Sequence, residues 1–428
     1  MRSRLLIAAL LLCPASLASA QGDPGPFGGL FGRTPNRTGV NYKVFEIRGS
    51  GGAQWGDSVF DDALDLGGLS SAGAGGNAAA GATFERRSDK FNLQAGSNVD
   101  YSQSLTAPII GGTSVDGGLR LSGDLSTRVS AGADVNYRYS PYFQYHPSFV
   151  WLNNGLVVPG LPFVATAIHN HGAQAGVNSN YKYSKSSTLS VGASFDQTWF
   201  PDRPDSDVAS TSVHGTWLRR LNRDFGLRLG YGRTWVRQEL STSPRTIHEE
   251  IDAGVDFNKM LSLSQRTTMG FSTSMSVLRP TGGTARYRLN GNVGLARLFG
   301  RTWSASFSAT RSTEFVAGLV EPLFADSLGL SVSGLLASRV EWGTSVNASR
   351  GEVGFDAAYG TFTTAGASTH LNFAVMRYLG VYAQYGLYHH NVPAGASSLP
   401  TVARFSRQSV SVGVSTWIPV FTRERTGE

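Results

Sequence analysis

The stretch FSRQSVSVGVSTWIPVF, Phe405 to Phe421, constrains this chain more than any motif in it. Val410, Val412, Val414, Thr416 and Ile418 fall on one parity, and Ser409, Ser411, Gly413 and Ser415 on the other. Strict alternation is the mark of a β-strand with one apolar and one polar face. The pattern recurs from about residue 41 to the end, in FNLQAGSNVDY, RVSAGADVNYRYS, STLSVGASFDQTW, MGFSTSMSV, ARYRLNGNVGL, TWSASFSAT, SLGLSVSGLL and GVYAQYGLY. No helical period of comparable length interrupts it. The fold class is therefore all-β.

The connections alternate in length. Short turns fall near Arg87-Ser88-Asp89, Ser126-Thr127, Ser184-Lys185, Asn222-Arg223-Asp224, Ser262-Leu263-Ser264, Gly300-Arg301, Arg339 and Tyr378-Leu379-Gly380. Longer ones fall near 53–78, 104–116, 142–168, 201–207, 240–246, 279–283, 317–323, 351–358 and 392–401. Short turns at one end and long loops at the other are the wiring of a transmembrane antiparallel up-and-down β-barrel. The count gives 18 strands, or 16 if the irregular stretch 41–52 is not a strand.

Composition bears on where such a barrel would sit. MRSR followed by LLIAALLLCPASLASA has the charged start, short apolar run and small-residue end of a signal peptide, residues 1–20. The Gly- and Pro-rich residues 21–40 read as a flexible periplasmic leader, 41–421 as the outer-membrane barrel, and 422–428 as a short periplasmic tail. Cys13, the one cysteine, lies in the signal, so neither disulfides nor thiolate metal sites are expected in the rest. No basic block of five or more residues occurs, which argues against nucleic acid as a partner.

An apolar strand face can meet a protein core or lipid. Strands of ten to sixteen residues suit a tilted bilayer crossing better than a soluble sandwich. Aromatics gather near strand ends, among them Tyr137, Tyr139, Tyr181, Tyr183, Trp199, Phe200, Trp235, Trp303, Trp342, Tyr385, Tyr388, Trp417 and Phe421, as membrane girdles require. Charged and amide side chains occupy the opposite faces in mid-strand, where a watery lumen tolerates them. The lipid bilayer of the outer membrane is then one partner and the outer-membrane assembly machinery another.

The candidate pore-lining residues are Arg120, Asp124, Asp134, Arg138, Asp196, Arg228, Asp252, Asp256, Arg286 and Arg288, with the two signs in balance. The apolar loop 142–168, with Tyr145, Phe149, Trp151 and Phe163, is the candidate constriction: an exposed loop of that composition needs something to pack against, either the barrel mouth or other loops. No G-x-S-x-G, H-E-x-x-H or phosphate-loop motif is present, so no catalytic residue, cofactor or metal is assigned. His169 with His171, His389-His390 and the acidic group Glu250, Asp252 and Asp256 read as polar rim residues before they read as ligands. The aspartates 57, 61, 62 and 65 match no calcium-loop spacing.

The order of signal peptide, linker, acidic segment AQWGDSVFDD (Ala53 to Asp62) and paired strands resembles the β-barrel porins found with bacterial exopolysaccharide and exosortase gene clusters. Gly56, Asp57 and Ser58 stand where that family has a Tyr-Asp-x-Asn entry. The resemblance implies export of a secreted polysaccharide, with a periplasmic polysaccharide-export protein as partner. Two other readings share the same physics: a diffusion porin for small solutes or sugars, and a structural or adhesive barrel with a filled lumen.

Overall fold

The computed structural model describes residues 41–60, 73–104, 111–141, 168–222, 224–238, 245–260, 267–280, 284–300, 302–315, 319, 321–354, 360–392 and 404–424. The signal and leader, residues 1–40, lie outside them, as do residues 142–167 with Tyr145, Phe149, Trp151 and Phe163. The strands are β1 (Tyr42–Phe60), β2 (Gly73–Arg87), β3 (Phe91–Ser104), β4 (Gly111–Asp124), β5 (Val129–Ser140) and β6 (Asn170–Lys182). There follow β7 (Ser187–Trp199), β8 (Val208–Arg220), β9 (Phe225–Gln238), β10 (Arg245–Met260), β11 (Thr267–Pro280) and β12 (Arg286–Phe299). β13 (Trp303–Glu314), β14 (Leu323–Ala337), β15 (Val340–Val353), β16 (Thr361–Met376), β17 (Leu379–Asn391) and β18 (Arg404–Glu424) complete the wall.

Each strand pairs antiparallel with the next, and β1 pairs with β18, so the 18-stranded sheet closes on itself. Closure removes the two free edges that an open sheet would present to hydrocarbon. The irregular stretch at 41–52 is part of β1, a 19-residue strand, and this decides 18 strands over 16. Residues 53–60 and 73–78 belong to β1 and β2, so the first long connection shrinks to 61–72. Strand β18 runs past Phe421 to Glu424, and Tyr42 pairs with Glu424, so the backbone of residues 422–424 is wall and not tail.

The faces sort as the alternation requires. Val410, Val412, Val414 and Ile418 are 41–50% exposed, while Ser409 and Ser411, on the inner face, are buried. Outward residues at mid-strand elsewhere are Leu119, Val135, Val177, Val191, Leu330 and Val346, all exposed to the surroundings of the barrel. A belt of bare Leu and Val around a closed barrel is a lipid-facing surface. Aromatic rings border it at both ends. At the long-loop end, His171 stacks on Trp199 with centroids 5.0 Å apart, and Tyr137 and Tyr139 join them on the same outer face. At the short-turn end Trp303 and Trp342 meet at 5.7 Å over Gly334, where any Cβ would strike the Trp303 ring. Phe45 and Phe421 stack at 5.9 Å beside the closing seam. Three of the expected girdle residues do not face out. Phe200 and Trp417 are 1% and 3% exposed, and Tyr388 takes the inner parity of β17. Trp417 packs with Ala374 and Leu335 inside the short-turn end.

Several of the 52 glycines lie on the inner wall beneath a neighbouring side chain. Asn136 lies over Gly118, Asn178 over Gly132, His214 over Gly192 and His370 over Gly343, each on its register partner in the neighbouring strand. A Cβ on any of these glycines would come within 3.0 Å of that side chain. Glycine here admits a side chain lying flat along the wall instead of across the lumen. Tyr382 does the same at the seam, its hydroxyl against Gly413 of β18 and Gly52 of β1.

Candidate pore and its constriction

The polar parity of the strands makes the inner surface. Hydroxyl pairs run across it: Ser194 with Ser212 at 2.6 Å, Ser306 with Ser331 at 2.7 Å and Ser345 with Ser368 at 2.9 Å. Arg120, Asp134, Arg138 and Asp196 all take the inner parity of β4, β5 and β7. Arg120 is the register partner of Asp134, and Asp116 that of Arg138, so opposite charges face each other along this wall. Asp124 also points inward but sits at the short-turn rim, next to Leu125. Arg228 and Asp252 meet at 2.7 Å. That pairing gives Asp252, one of the acidic group Glu250, Asp252 and Asp256, a cationic partner on the neighbouring strand. Only the backbone of Asp256, opposite Gly226, is described.

Arg286 and Arg288 begin on the inner parity of β12, yet Arg288 does not face open lumen. Its guanidinium lies 5.0 Å over the Phe324 ring and 4.0 Å from Asp326, both on the outward parity of β14. Inward Ser276 of β11 is 3.4 Å from Thr313, on the outward parity of β13. Inward His248 of β10 has its ring 5.9 Å from that of Phe315. An inner face touching an outer face has one geometric solution: the long-loop ends of β13 and β14 fold inside the barrel, behind β10 to β12. The ladder agrees. β12 pairs with β13 only from Gly291 to Phe299, and residues 286–290 pair with β11 alone.

The folded-in segment is tied down on both sides. Gln238, at the end of β9, donates from Nε2 to the Leu319 carbonyl at 3.1 Å. The Gly354 N–H donates to the Pro322 carbonyl at 3.0 Å. Leu319 and Leu323 join Ala325, Val353, Phe362, Val392, Ile168 and Phe200 in one buried apolar cluster. Ile168 and Phe200 flank β6 and β7, whereas Val353 and Phe362 belong to β15 and β16, halfway round the ring. Opposite walls are thus bridged at the long-loop mouth by apolar contacts that include Leu319, Leu323 and Ala325.

This constriction was missed in the sequence, where 317–323 is only one long connection among nine. A signal was there. TEFVAGLVEPLFAD breaks the alternation with an apolar run, the same criterion that singles out 142–168.

His169 and His171 have local partners. His171 Nδ1 lies 2.8 Å from the Tyr137 hydroxyl. His169 Nδ1 lies 2.7 Å from Asp202 Oδ2, and the His169 N–H donates to the same oxygen at 3.2 Å. The His169 side-chain contact, with that backbone bond, holds the Asp202 carboxyl below the usual carboxylate range. Among the described residues no group of three or more His, Cys, Asp or Glu is placed to hold a metal ion.

No family model matches the chain, and no curated protein matches it. Solved structures similar to it include OccK5 (OpdH), OpdL and OccK2 (OpdF), all from Pseudomonas aeruginosa. OccK5 is 10% identical with a TM-score of 0.43, over 89% of this chain and 98% of that one. OpdL is 8% identical with a TM-score of 0.44, over 89% and 99%. OccK2, solved in complex with glucuronate, is 10% identical with a TM-score of 0.44, over 89% and 98%.

Proposed function

We propose that the chain is an outer-membrane pore through which small polar solutes diffuse. A closed barrel with a lipid-facing belt, a polar inner wall and long loops gathered at one end is wired as outer-membrane barrels are. One observation carries the choice of cargo. The apolar cluster that includes Leu319, Leu323 and Ala325 joins opposite walls at the mouth, which suits a passage for small molecules better than a conduit for a growing polymer. The inner wall pairs Arg120 with Asp134 and Asp116 with Arg138, so neither sign dominates this sector, and neutral or weakly charged solutes fit it.

Export of a secreted polysaccharide, which the family resemblance implies, is the competing use of the same barrel, and a periplasmic export protein belongs to that reading. Purified protein in planar bilayers should give steady single-channel steps, and proteoliposomes should swell in small sugars. A deletion strain should keep its surface polysaccharide and lose uptake of the permeant solute. Loss of the polysaccharide with uptake unchanged would overturn the proposal in favour of export. No steady current would overturn both in favour of a filled barrel.

A further inference from the structure

Where β13 and β14 turn inward, the outer surface is left with a hollow. It encloses about 610 Å³ between β11 and β15. Its apolar lining is Phe271, Leu289, Val293 and Leu328, all on the outward parity of their strands. Its polar lining is of a different kind. Arg311 donates to Asp326 through two bonds, Nε to Oδ1 at 2.6 Å and Nη2 to Oδ2 at 2.8 Å. Asp326 is also the register partner of Arg350 on its other side, and Arg288 approaches it through the seam at 4.0 Å. Three arginines therefore surround one aspartate. Glu352, one row higher on β15, is the remaining acid of the group, so the cluster is positive.

Charges on the lipid side of a barrel are tolerated only near the interface, and this row lies three to four residues below the long-loop ends of β13 to β15.

We propose that this hollow holds a resident membrane lipid: an acyl chain against Phe271, Leu289 and Leu328, and a phosphate-bearing head at Arg311 and Arg350. The occupant follows from the place. The hollow opens on the belt that faces hydrocarbon, so what fills it comes from the bilayer, and the arginines select an anionic head. The inference rests on the barrel's position in a membrane and is independent of what passes through the lumen.

The test is lipid retention. Full-length protein is extracted from its own membranes, washed extensively in mild detergent, and assayed for lipid phosphorus and acyl chains per polypeptide. Wild type should retain a single phosphorylated lipid. Arg350→Gln should lower retention about tenfold, as loss of one charge-assisted contact implies. Leu328→Trp, which fills the hollow without touching the arginines, should lower it as well. Val177→Trp, on the outer face of β6, should not. Heat-modifiable gel mobility reports folding for every variant, so a folded variant with undiminished lipid overturns the proposal. Wild type that retains no more lipid than the variants overturns it too. Release of the retained phosphorus by excess inorganic phosphate would also overturn it, because the site would then be one for a free ion.

Discussion

The side-chain amide of Gln238 holds the carbonyl of Leu319 at 3.1 Å across 81 residues of sequence. Gln238 is 4% exposed and Leu319 2%, so the bond is closed off from water. It fastens the folded-in segment to a wall four strands away from its own. Replacing Leu319 and Phe315 with alanine should undock that segment, since a buried Leu→Ala change costs about 2–5 kcal/mol. Single-channel conductance should rise while heat-modifiable mobility stays that of a folded barrel. Unchanged conductance would show that the narrowest point lies elsewhere. Gln238→Leu should act in the same direction more weakly, as noisier current, because one buried hydrogen bond is worth about 1 kcal/mol net.

A second pair repairs a break in the wall. The β10–β11 ladder is interrupted between Ile251 and Phe257, and Arg228 reaches into the gap from β9. Its Nη2 donates to the Thr273 carbonyl at 3.3 Å while Asp252 lies 2.7 Å from its Nε. The two side chains are 15% and 7% exposed. Asp252→Ala would strand a mostly buried guanidinium and should destabilise the barrel by about 3–5 kcal/mol. Arg228→Met with Asp252→Ala removes both charges and should recover much of that loss. Urea unfolding in detergent, followed by tryptophan fluorescence, measures both. Equal stability of the single and double variants would mean that the pair does not act as a unit.

These two pairs mark the boundary of what the sequence could disclose. Alternation fixes which side of a strand is wet, and Arg120, Asp134, Arg138 and Asp196 take the inner parity of strands that keep to the cylinder. Parity says nothing about whether a strand stays on the cylinder. Arg288 has the parity of a lumen residue and Asp326 that of a lipid-facing one, yet the infolding of β13 and β14 brings them to 4.0 Å. Trp417 shows the same limit at the other end. Its position near the terminus suggested a girdle, but its parity matches Ser411 and Ser415, and a register shift at Phe45/Glu46 follows just beyond it. Nor does the alternation reveal that Gly118, Gly132, Gly192 and Gly343 each sit under a particular side chain.

The lipid-facing assignment can be tested on one strand. Leu330 is 50% exposed at the middle of β14, and its neighbour Ser331 faces inward, 2.7 Å from Ser306. Arginine at the bilayer midplane of a barrel costs about 2–4 kcal/mol, and lumen substitutions cost far less. Leu330→Arg should therefore lower folding stability in lipid vesicles by that amount, whereas Ser331→Arg should leave stability near wild type and alter conductance. The opposite ranking would mean that the two faces are exchanged.

The last expectation concerns acid. Asp202 is held by His169 in the connection after β7, and this contact depresses its pKa. A carboxyl whose folded pKa lies below its unfolded value contributes stability that is present above the unfolded pKa, about 3.9 for Asp, and that fades as pH falls through the lower, folded one. The contact should therefore persist throughout the neutral and mildly acid range and release only below the usual carboxylate range. Both side chains are about half exposed, so the consequence is local order in the mouth and not global stability. Carbon-13 titration of the Asp202 carboxyl should give a midpoint below that of a free aspartate, and His169→Ala should raise it toward the ordinary value. A midpoint already at the ordinary value in the unsubstituted protein would remove His169 as the group that orders this connection.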